Sequence, residues 1–186
     1  MRITKRMAGV TLVESMLAIA LLAIVAAYAS PSFVAWRQRD RVEAGAMSML
    51  AALATARVEA VSRGVRVAVC RGDQNPVCAT SGGTCKIEGE WSCGWSIVLP
   101  DSHRHEPAVL RRVPAMSGVR VDGAAGGVVF TPPAGQVIGG FRRFEFLPQE
   151  LRGVVDGARA IRVARCLRIA AGGRARVTAG RCGAAQ

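Results

Sequence analysis

Hydrophobic residues follow three successive patterns along the chain, and each pattern predicts a different kind of element. Residues 7–29 are apolar on all sides of a helix apart from one acid, Glu14, and a run of this length is sufficient to span a bilayer. Over residues 42–61 apolar side chains recur every three or four positions, which predicts that the helix continues with one buried face. Gly64 is a natural C-terminal stop for it. From Val65 onward the period is two, as in β-strands with one buried face.

The second half of the chain is organised as short strands separated by turns rich in Gly, Pro and Asp. The candidate strands are residues 65–70, 95–99, 108–113, 128–131, 141–147, 160–170 and 174–178. The predicted fold class is therefore α+β, with a long N-terminal helix followed by a mainly antiparallel β domain.

The predicted organisation has three parts. We expect a leader at residues 1–9 and a long helix at residues 10–64, whose membrane-spanning part is residues 10–30. One β domain follows at residues 65–186, because the remaining length leaves room for a single globular domain.

Glu14 is the most informative residue of the apolar run. A carboxylate inside a membrane helix costs roughly 2.5–3.5 kcal/mol, so it normally has a partner or a role. Cleavage between Gly9 and Val10 would create a new amino group and make Glu14 the fifth residue of the shortened chain. We expect that the carboxylate of one subunit and the amine of a neighbouring subunit then neutralise each other.

Two other interpretations fit the apolar run. A generic signal anchor explains the basic N-terminus but not Glu14. An ordinary secretory signal peptide would be cut after Ala29, where Ala27-Tyr28-Ala29 forms an A-x-A-like site, and would release a soluble periplasmic binding domain. In every case the basic N-terminus stays cytoplasmic, and the chain beyond about residue 31 lies outside the inner membrane.

The leader resembles the class III signal sequence of type IV prepilins and pseudopilins. The resemblance rests on the basic residues within 2–6, on Gly9, and on Glu14 five positions later. In that family a membrane peptidase cuts after the Gly and methylates the new amine. The resemblance therefore implies cleavage between Gly9 and Val10, methylation of Val10, and three partners: prepilin peptidase, other pilins or pseudopilins, and the inner membrane. Val10 departs from the Phe that is usual there.

Charge is distributed unevenly along the chain, whose formal net charge is +12. Residues 141–182 contain ten arginines but only three acids, Glu145, Glu150 and Asp156. Such a patch indicates a polyanionic partner, such as nucleic acid or an acidic membrane surface, or else a solvated face without a partner.

Six cysteines lie in the predicted β domain: Cys70, Cys78, Cys85, Cys93, Cys166 and Cys182. An even number in an oxidising compartment indicates disulfides, and six cysteines allow 15 connectivities. The favoured set is local, Cys70–Cys78, Cys85–Cys93 and Cys166–Cys182. Because there is no C-x-x-C pair and the only histidines are His103 and His105, we expect no metal site.

The chain as a whole resembles the FimT/GspH family of minor pilins and pseudopilins. The resemblance rests on Ala56-Arg57-Val58-Glu59-Ala60, Trp91-Ser92-Cys93-Gly94-Trp95, Val129-Phe130-Thr131-Pro132 and Gly173-Arg174-Ala175-Arg176. The leader and the final Gly-Arg-x-Arg are its specific parts.

The basic C-terminal hairpin carries the candidate binding site. Strand alternation places Val163, Arg165, Leu167 and Ile169 on one face and Arg162, Ala164, Cys166 and Arg168 on the other. Arg174 and Arg176 share a face of the return strand, with Arg181 beyond. Guanidinium groups suit phosphate oxygens. Because aromatic residues are nearly absent from this hairpin, bases could stack only weakly, so the binding of double-stranded DNA that we expect is sequence-independent, salt-sensitive and dominated by the backbone. Alternatively, these arginines stabilise the hairpin or contact a neighbouring subunit.

In the FimT branch, the Gly-Arg-x-Arg motif is associated with DNA uptake by type IV pili during natural transformation. The resemblance implies Arg174 and Arg176 as the DNA-binding residues, with Arg168 and Arg181 beside them. The alternative within the family is the type II secretion pseudopilin H, which acts in protein secretion without binding DNA. We expect no enzyme activity and no cofactor, because the chain has no Gly-x-Ser-x-Gly, phosphate-loop or His-Glu-x-x-His motif.

Overall fold

The computed structural model describes residues 11–72, 78, 89–100, 107–149 and 162–183. The chain divides into two compact units, Met1–Arg37 and Gln38–Gln186. The helix α1, Leu12–Arg63, begins in the first unit and ends in the second.

The start of α1 is capped by Thr11. The backbone N–H of Glu14 donates a hydrogen bond to Oγ1 of Thr11 (3.3 Å), and the N–H of Ser15 donates to the carbonyl of Thr11 (3.1 Å). Thr-Leu-Val-Glu has the order of a capping box, in which such a hydroxyl satisfies a free N–H of the first turn. Every residue from 11 to 27 is exposed in the first unit. An apolar surface of that extent is unfavourable in water, so it requires lipid or other apolar helices around it.

The part of α1 in the second unit packs against the β-sheets. The segment Trp36–Arg63, which begins two residues before this unit, is long and apolar enough to cross a membrane, with a mean hydropathy of 1.2 over 18 residues, but 39% of that window is buried within the protein. The buried positions recur at helical spacing: Val42, Ala46, Met49, Ala52, Leu53, Ala56 and Ala60. We therefore regard this segment as a core helix.

The prediction of which residues of α1 form its buried face is wrong near the end of the helix. Val58 and Val61, which the spacing assigns to the buried face, are exposed. Ala56 and Ala60 are buried instead. Small side chains at these positions let the helix backbone approach the sheets closely, whereas a valine would need more room.

Nine strands follow the helix in the described residues: β1 Val67–Arg71, β2 Trp95–Leu99, β3 Ala108–Val113, β4 Val119–Asp122, β5 Val128–Thr131, β6 Gln136–Val137, β7 Arg142–Pro148, β8 Arg165–Ile169 and β9 Ala175–Ala179. They form a five-stranded sheet of order β3-β2-β1-β5-β6 and a four-stranded sheet of order β4-β7-β8-β9. All strand pairs in these sheets are antiparallel. The predicted α+β class is confirmed.

The structure contains two strands that were not predicted, and one predicted strand begins later than expected. β4 and β6 are not among the predicted strands. β6 has only two residues, too few for alternation to show, whereas β4 is as long as β5 and its alternation was overlooked. The strand predicted at residues 160–170 begins only at Arg165, after a helical turn at residues 162–163.

One hydrophobic core joins α1 to both sheets. Its largest members are the fully buried Trp91, Trp95, Phe130, Phe144 and Phe146. The rings of Trp91 and Phe144 meet edge to face with centroids 4.9 Å apart, a favoured aromatic geometry. The indole N–H of Trp91 donates to the carbonyl of Ala124 (2.8 Å), so this buried donor is satisfied.

Two disulfides are present in the described residues, Cys70–Cys78 and Cys166–Cys182. Both belong to the local set favoured by the sequence. The third pair of that set, Cys85–Cys93, stays a prediction because Cys85 lies outside the described residues. His103 and His105 also lie outside them.

Removing Cys166–Cys182 should destabilise the second unit. The bridge closes a loop with a sequence separation of 16, and chain-entropy arguments give about 3 kcal/mol for a loop of that size. We expect the double variant Cys166→Ser/Cys182→Ser to lose about that much unfolding free energy in a urea titration. Reduced wild-type protein, which lacks all disulfides, should be at least as unstable as the variant. An unchanged urea midpoint in the variant would contradict the prediction.

Candidate functional site

The four-stranded sheet has an apolar inner face and a charged outer face. Phe144, Phe146, Leu167 and Ile169 are fully buried in the core shared with α1. Arg165 shares the inner side with Leu167 and Ile169 by alternation and forms an ion pair with Glu43 of α1. The predicted face of Arg165 is therefore confirmed, and its charge is neutralised within the protein.

The outer face carries a row of three arginines, one on each of three neighbouring strands. Arg143 of β7 is the register partner of Arg168 of β8, and Arg168 is the register partner of Arg176 of β9. Directly opposed residues in antiparallel strands lie about 4.5–5.5 Å apart. Like charges so placed repel each other and destabilise the sheet. No hydrogen bond or ion pair is made by these three guanidinium groups within the described residues.

The two acids nearest this row among the described residues do not compensate it. Asp122 accepts from Nε of Arg120 (2.9 Å), and Glu145 accepts from Nε of Arg181 (2.9 Å) and from the backbone N–H of Cys182 (3.3 Å). Each of these carboxylates is thus held by another arginine. The acids that neighbour the row in sequence and register are therefore already engaged.

Arg174 adds a fourth guanidinium immediately before β9. Its carbonyl accepts a hydrogen bond from the N–H of Ala170 (2.9 Å), which closes the hairpin. Arg174 and Arg176 are both exposed and Arg168 is half-buried. Within the described part of the chain the side chain of Arg174 has no acid partner. We call Arg143, Arg168, Arg174 and Arg176 the arginine face.

The hairpin that carries Arg174 and Arg176 is fixed to the other sheet. The N–H of Val137 in β6 donates to the carbonyl of Ala171 in the hairpin turn (2.9 Å). Gly173 has a φ of +79°, and a Cβ built on it would lie 1.9 Å from the carbonyl oxygen of Gly135. The glycine of Gly-Arg-x-Arg is therefore needed both for its backbone conformation and for this close approach.

The predicted DNA-binding residues thus have different surroundings. Arg174 and Arg176 are exposed at the edge strand, and Arg168 lies beside Arg176 in register. Arg181 is held by Glu145 and is the least available of the four. Arg143 was missed by the sequence reasoning. Its position next to the buried Phe144 was readable from alternation, but its pairing with Arg168 depends on the register of two strands distant in sequence.

Two concave surfaces border the arginine face. A groove of about 300 Å³ lies between α1 and β9 and is lined by Leu50, Ala54, Arg57, Val58 and residues 173–176. A larger cavity of about 550 Å³ lies at β7, and we call it the β7 cavity. Its lining consists of Asp122, Gly123, Ala124, Phe141, Arg142, Arg143, Glu145, Arg181 and Cys182.

At the other end of the chain, the structure describes only part of the predicted processing site. Gly9 and Val10 lie outside the described residues. Glu14 occupies the first turn of α1 and is exposed.

Comparison with protein families identifies this arrangement. Residues 45–173 match the family described as type II transport protein GspH, and residues 4–30 match the prokaryotic N-terminal methylation motif. The chain belongs to the GspH family. It is a structural minor pilin or pseudopilin subunit of a type IV pilus or a type II secretion filament. The methylation motif implies processing by prepilin peptidase and assembly with other pilins, and the apolar helix implies membrane anchoring.

Two crystal forms of one solved protein agree with this fold. The type IV minor pilin FimU of Pseudomonas aeruginosa matches in one crystal form with 22% identity and a TM-score of 0.51, covering 73% of this chain and 91% of FimU. A second crystal form gives 20% identity and a TM-score of 0.54, with coverages of 77% and 92%. The minor pseudopilin EpsH of the Vibrio cholerae type 2 secretion system gives 12% identity and a TM-score of 0.48, with coverages of 75% and 97%. A search of curated protein sequences finds no match.

The two glycines of the hairpin turn offer a matched test of how the arginine face is positioned. Gly173→Ala should destabilise the second unit by about 1–3 kcal/mol or more, because it forces a strained φ and a clash with Gly135. Gly172→Ala should be nearly neutral, since a Cβ there meets nothing within 4 Å. Thermal unfolding of the two variants compares them directly. Equal melting temperatures would contradict the assigned packing.

Proposed function

We propose that this chain is a FimT-like minor pilin that captures double-stranded DNA for uptake through its arginine face. The observation that carries the proposal is the cross-strand row Arg143–Arg168–Arg176, with Arg174 beside it. Four guanidinium groups on one face have no acid partner within the described residues. A polyanion supplies the missing countercharge.

The chemistry of the arginine face favours phosphate over base recognition. Guanidinium groups donate paired hydrogen bonds to phosphate oxygens. In the described residues this face is the outer surface of a four-stranded sheet and includes no helix that could enter the major groove, where sequence is mainly read. Binding therefore neutralises phosphates, releases counterions and does not depend on sequence.

The proposal includes how the subunit reaches the cell surface. The leader at residues 1–9 is cut between Gly9 and Val10, and Val10 is methylated. Residues 10–30 then span the inner membrane with the N-terminus cytoplasmic, and residues 65–186 lie in the periplasm and later on the filament. Glu14 pairs with the methylated amine of a neighbouring subunit. Support comes from the methylation motif at residues 4–30 and from the fully exposed apolar surface of residues 11–27.

A second candidate is the type II secretion pseudopilin H. The description of the matching family, type II transport protein, favours it. In that case Arg174 and Arg176, which also line the groove between α1 and β9, would contact a neighbouring subunit of the filament. Such an interface needs acids on that neighbour and does not require any affinity for DNA.

Neutralising the hairpin arginines distinguishes the two candidates. With the full mature chain in neutral detergent at fixed, moderate salt, Arg174→Gln/Arg176→Gln should bind duplex DNA roughly 10- to 100-fold more weakly, because two of four phosphate contacts and their counterion release are lost. Fluorescence anisotropy with labelled duplexes of unrelated sequence measures the affinity.

The matched control is Arg111→Gln/Arg112→Gln on β3 of the five-stranded sheet. It removes the same charge from exposed positions away from the arginine face, so it should bind almost as tightly as the wild type. If both double variants lost the same affinity for duplex DNA, the loss would depend only on net charge and not on the arginine face. Negligible binding by the wild type would remove the DNA role and favour the secretion pseudopilin.

A further inference from the structure

Phe141 is an exposed aromatic ring beside the arginine face. It precedes β7 by one residue and lies two positions before Arg143, so alternation places both on the outer side of the sheet. The ring is 58% exposed and has no ring or cation partner within the described residues. Isolated exposed apolar residues are common on protein surfaces. Phe141 differs from such residues because it lies beside arginines and a cavity.

Phe141 lines the β7 cavity together with Arg142 and Arg143. A volume of about 550 Å³ lies in the range of small-ligand sites. The two acids of the cavity, Asp122 and Glu145, are held by Arg120 and Arg181. The cavity therefore presents one apolar ring and the guanidinium of Arg143, a combination that suits an aromatic ligand bearing a negative charge.

The position of Phe141 is fixed by the turn before it. The guanidinium of Arg142 donates to the carbonyls of Gly139 (2.6 Å), Phe141 (3.3 Å) and Ile138 (3.4 Å). The N–H of Ile138 donates to the carbonyl of Val129 in β5 (2.9 Å). The backbone that carries the ring is therefore held by hydrogen bonds, so ligand binding needs to order only the side chain of Phe141 and little of the backbone.

We propose that the β7 cavity binds an unpaired base of single-stranded DNA, which stacks on Phe141 while the adjoining phosphates lie along the row Arg143–Arg168–Arg176. The inference rests on the proposed function, because single-stranded DNA would bind to an extension of the same arginine face that binds duplex DNA. Three neighbouring strands at about 4.8 Å spacing place the ends of this row about 10 Å apart. That distance suits the phosphates of two or three extended nucleotides.

Base stacking is the interaction that duplex DNA cannot make with this ring, because its bases are already stacked and paired. Aromatic stacking platforms beside cationic grooves bind single strands without sequence preference. The arginine face then serves both forms of DNA through phosphates, and Phe141 adds affinity only for frayed ends, gaps or single strands. Phe141 is thus a binding residue for the unpaired form.

The test compares three labelled nucleic acids: oligothymidylate, an abasic oligonucleotide of the same length and charge, and a duplex. The full mature chain in neutral detergent should bind oligothymidylate about 5- to 150-fold more tightly than the abasic strand. Phe141→Ala should remove that difference and leave duplex affinity unchanged. Phe141→Trp should retain it, because an indole also stacks on bases, and the unchanged duplex affinity of Phe141→Ala excludes misfolding as the cause of its loss.

Ile138→Ala is the matched control. Ile138 is 48% exposed in the same turn but does not line the β7 cavity, so its truncation should leave the preference for oligothymidylate intact. Arg143→Gln should weaken all three complexes alike, because it acts on phosphates.

The outcomes separate the two proposals. Duplex binding combined with equal affinity for oligothymidylate and the abasic strand would overturn the stacking site and leave the proposed function standing. A preference for oligothymidylate that persists in Phe141→Ala would also overturn the stacking site alone. Failure to bind any of the three nucleic acids would overturn the proposed function and the stacking site together.

Discussion

The burial of one face of α1 against both sheets is the constraint on which the rest of this structure depends. Small and apolar residues at helical spacing, from Val42 to Ala60, share a core with Trp95 of the five-stranded sheet and Phe144 of the four-stranded sheet. This contact fixes which side of each strand is the inner side. Because strands alternate with a period of two, it also fixes which arginines of β7, β8 and β9 lie outside.

The outer face then contains a row of like charges that no acid compensates within the residues the structure describes. Opposed residues in a sheet normally attract or pack, yet Arg143, Arg168 and Arg176 share one row. The nearby acids Asp122 and Glu145 are held by other arginines. Local departures from good sheet design of this kind are expected where a binding function has been selected. The Cys166–Cys182 bridge and the contact of Gly173 with Gly135 hold the arginines in place, so the polyanion that we propose as ligand would meet a preformed site.

Local patterns predicted most of the fold, whereas the site depended on long-range pairing. Change of period, helix stops and turn residues identified the long helix and most strands. Alternation correctly separated Arg165 from Arg168. It did not reveal that Arg143 lies opposite Arg168, because register is set by the whole core, nor that Arg181 is held by Glu145. The absence of aromatics from the hairpin sequence argued against stacking, but Phe141 reaches the same face from the neighbouring strand. Val58 and Val61 followed the helical period and are exposed, because Ala56 and Ala60 allow closer packing.

The most direct test of the central claim is the salt dependence of duplex DNA binding. The claim is that the four arginines of the arginine face neutralise phosphates, so a plot of log Kobs against log salt concentration should have a slope of about −3 to −4. A slope near that value supports backbone binding by the arginine face. A slope shallower than about −1, with measurable binding, would contradict the account, because so few released counterions cannot correspond to four arginine–phosphate contacts.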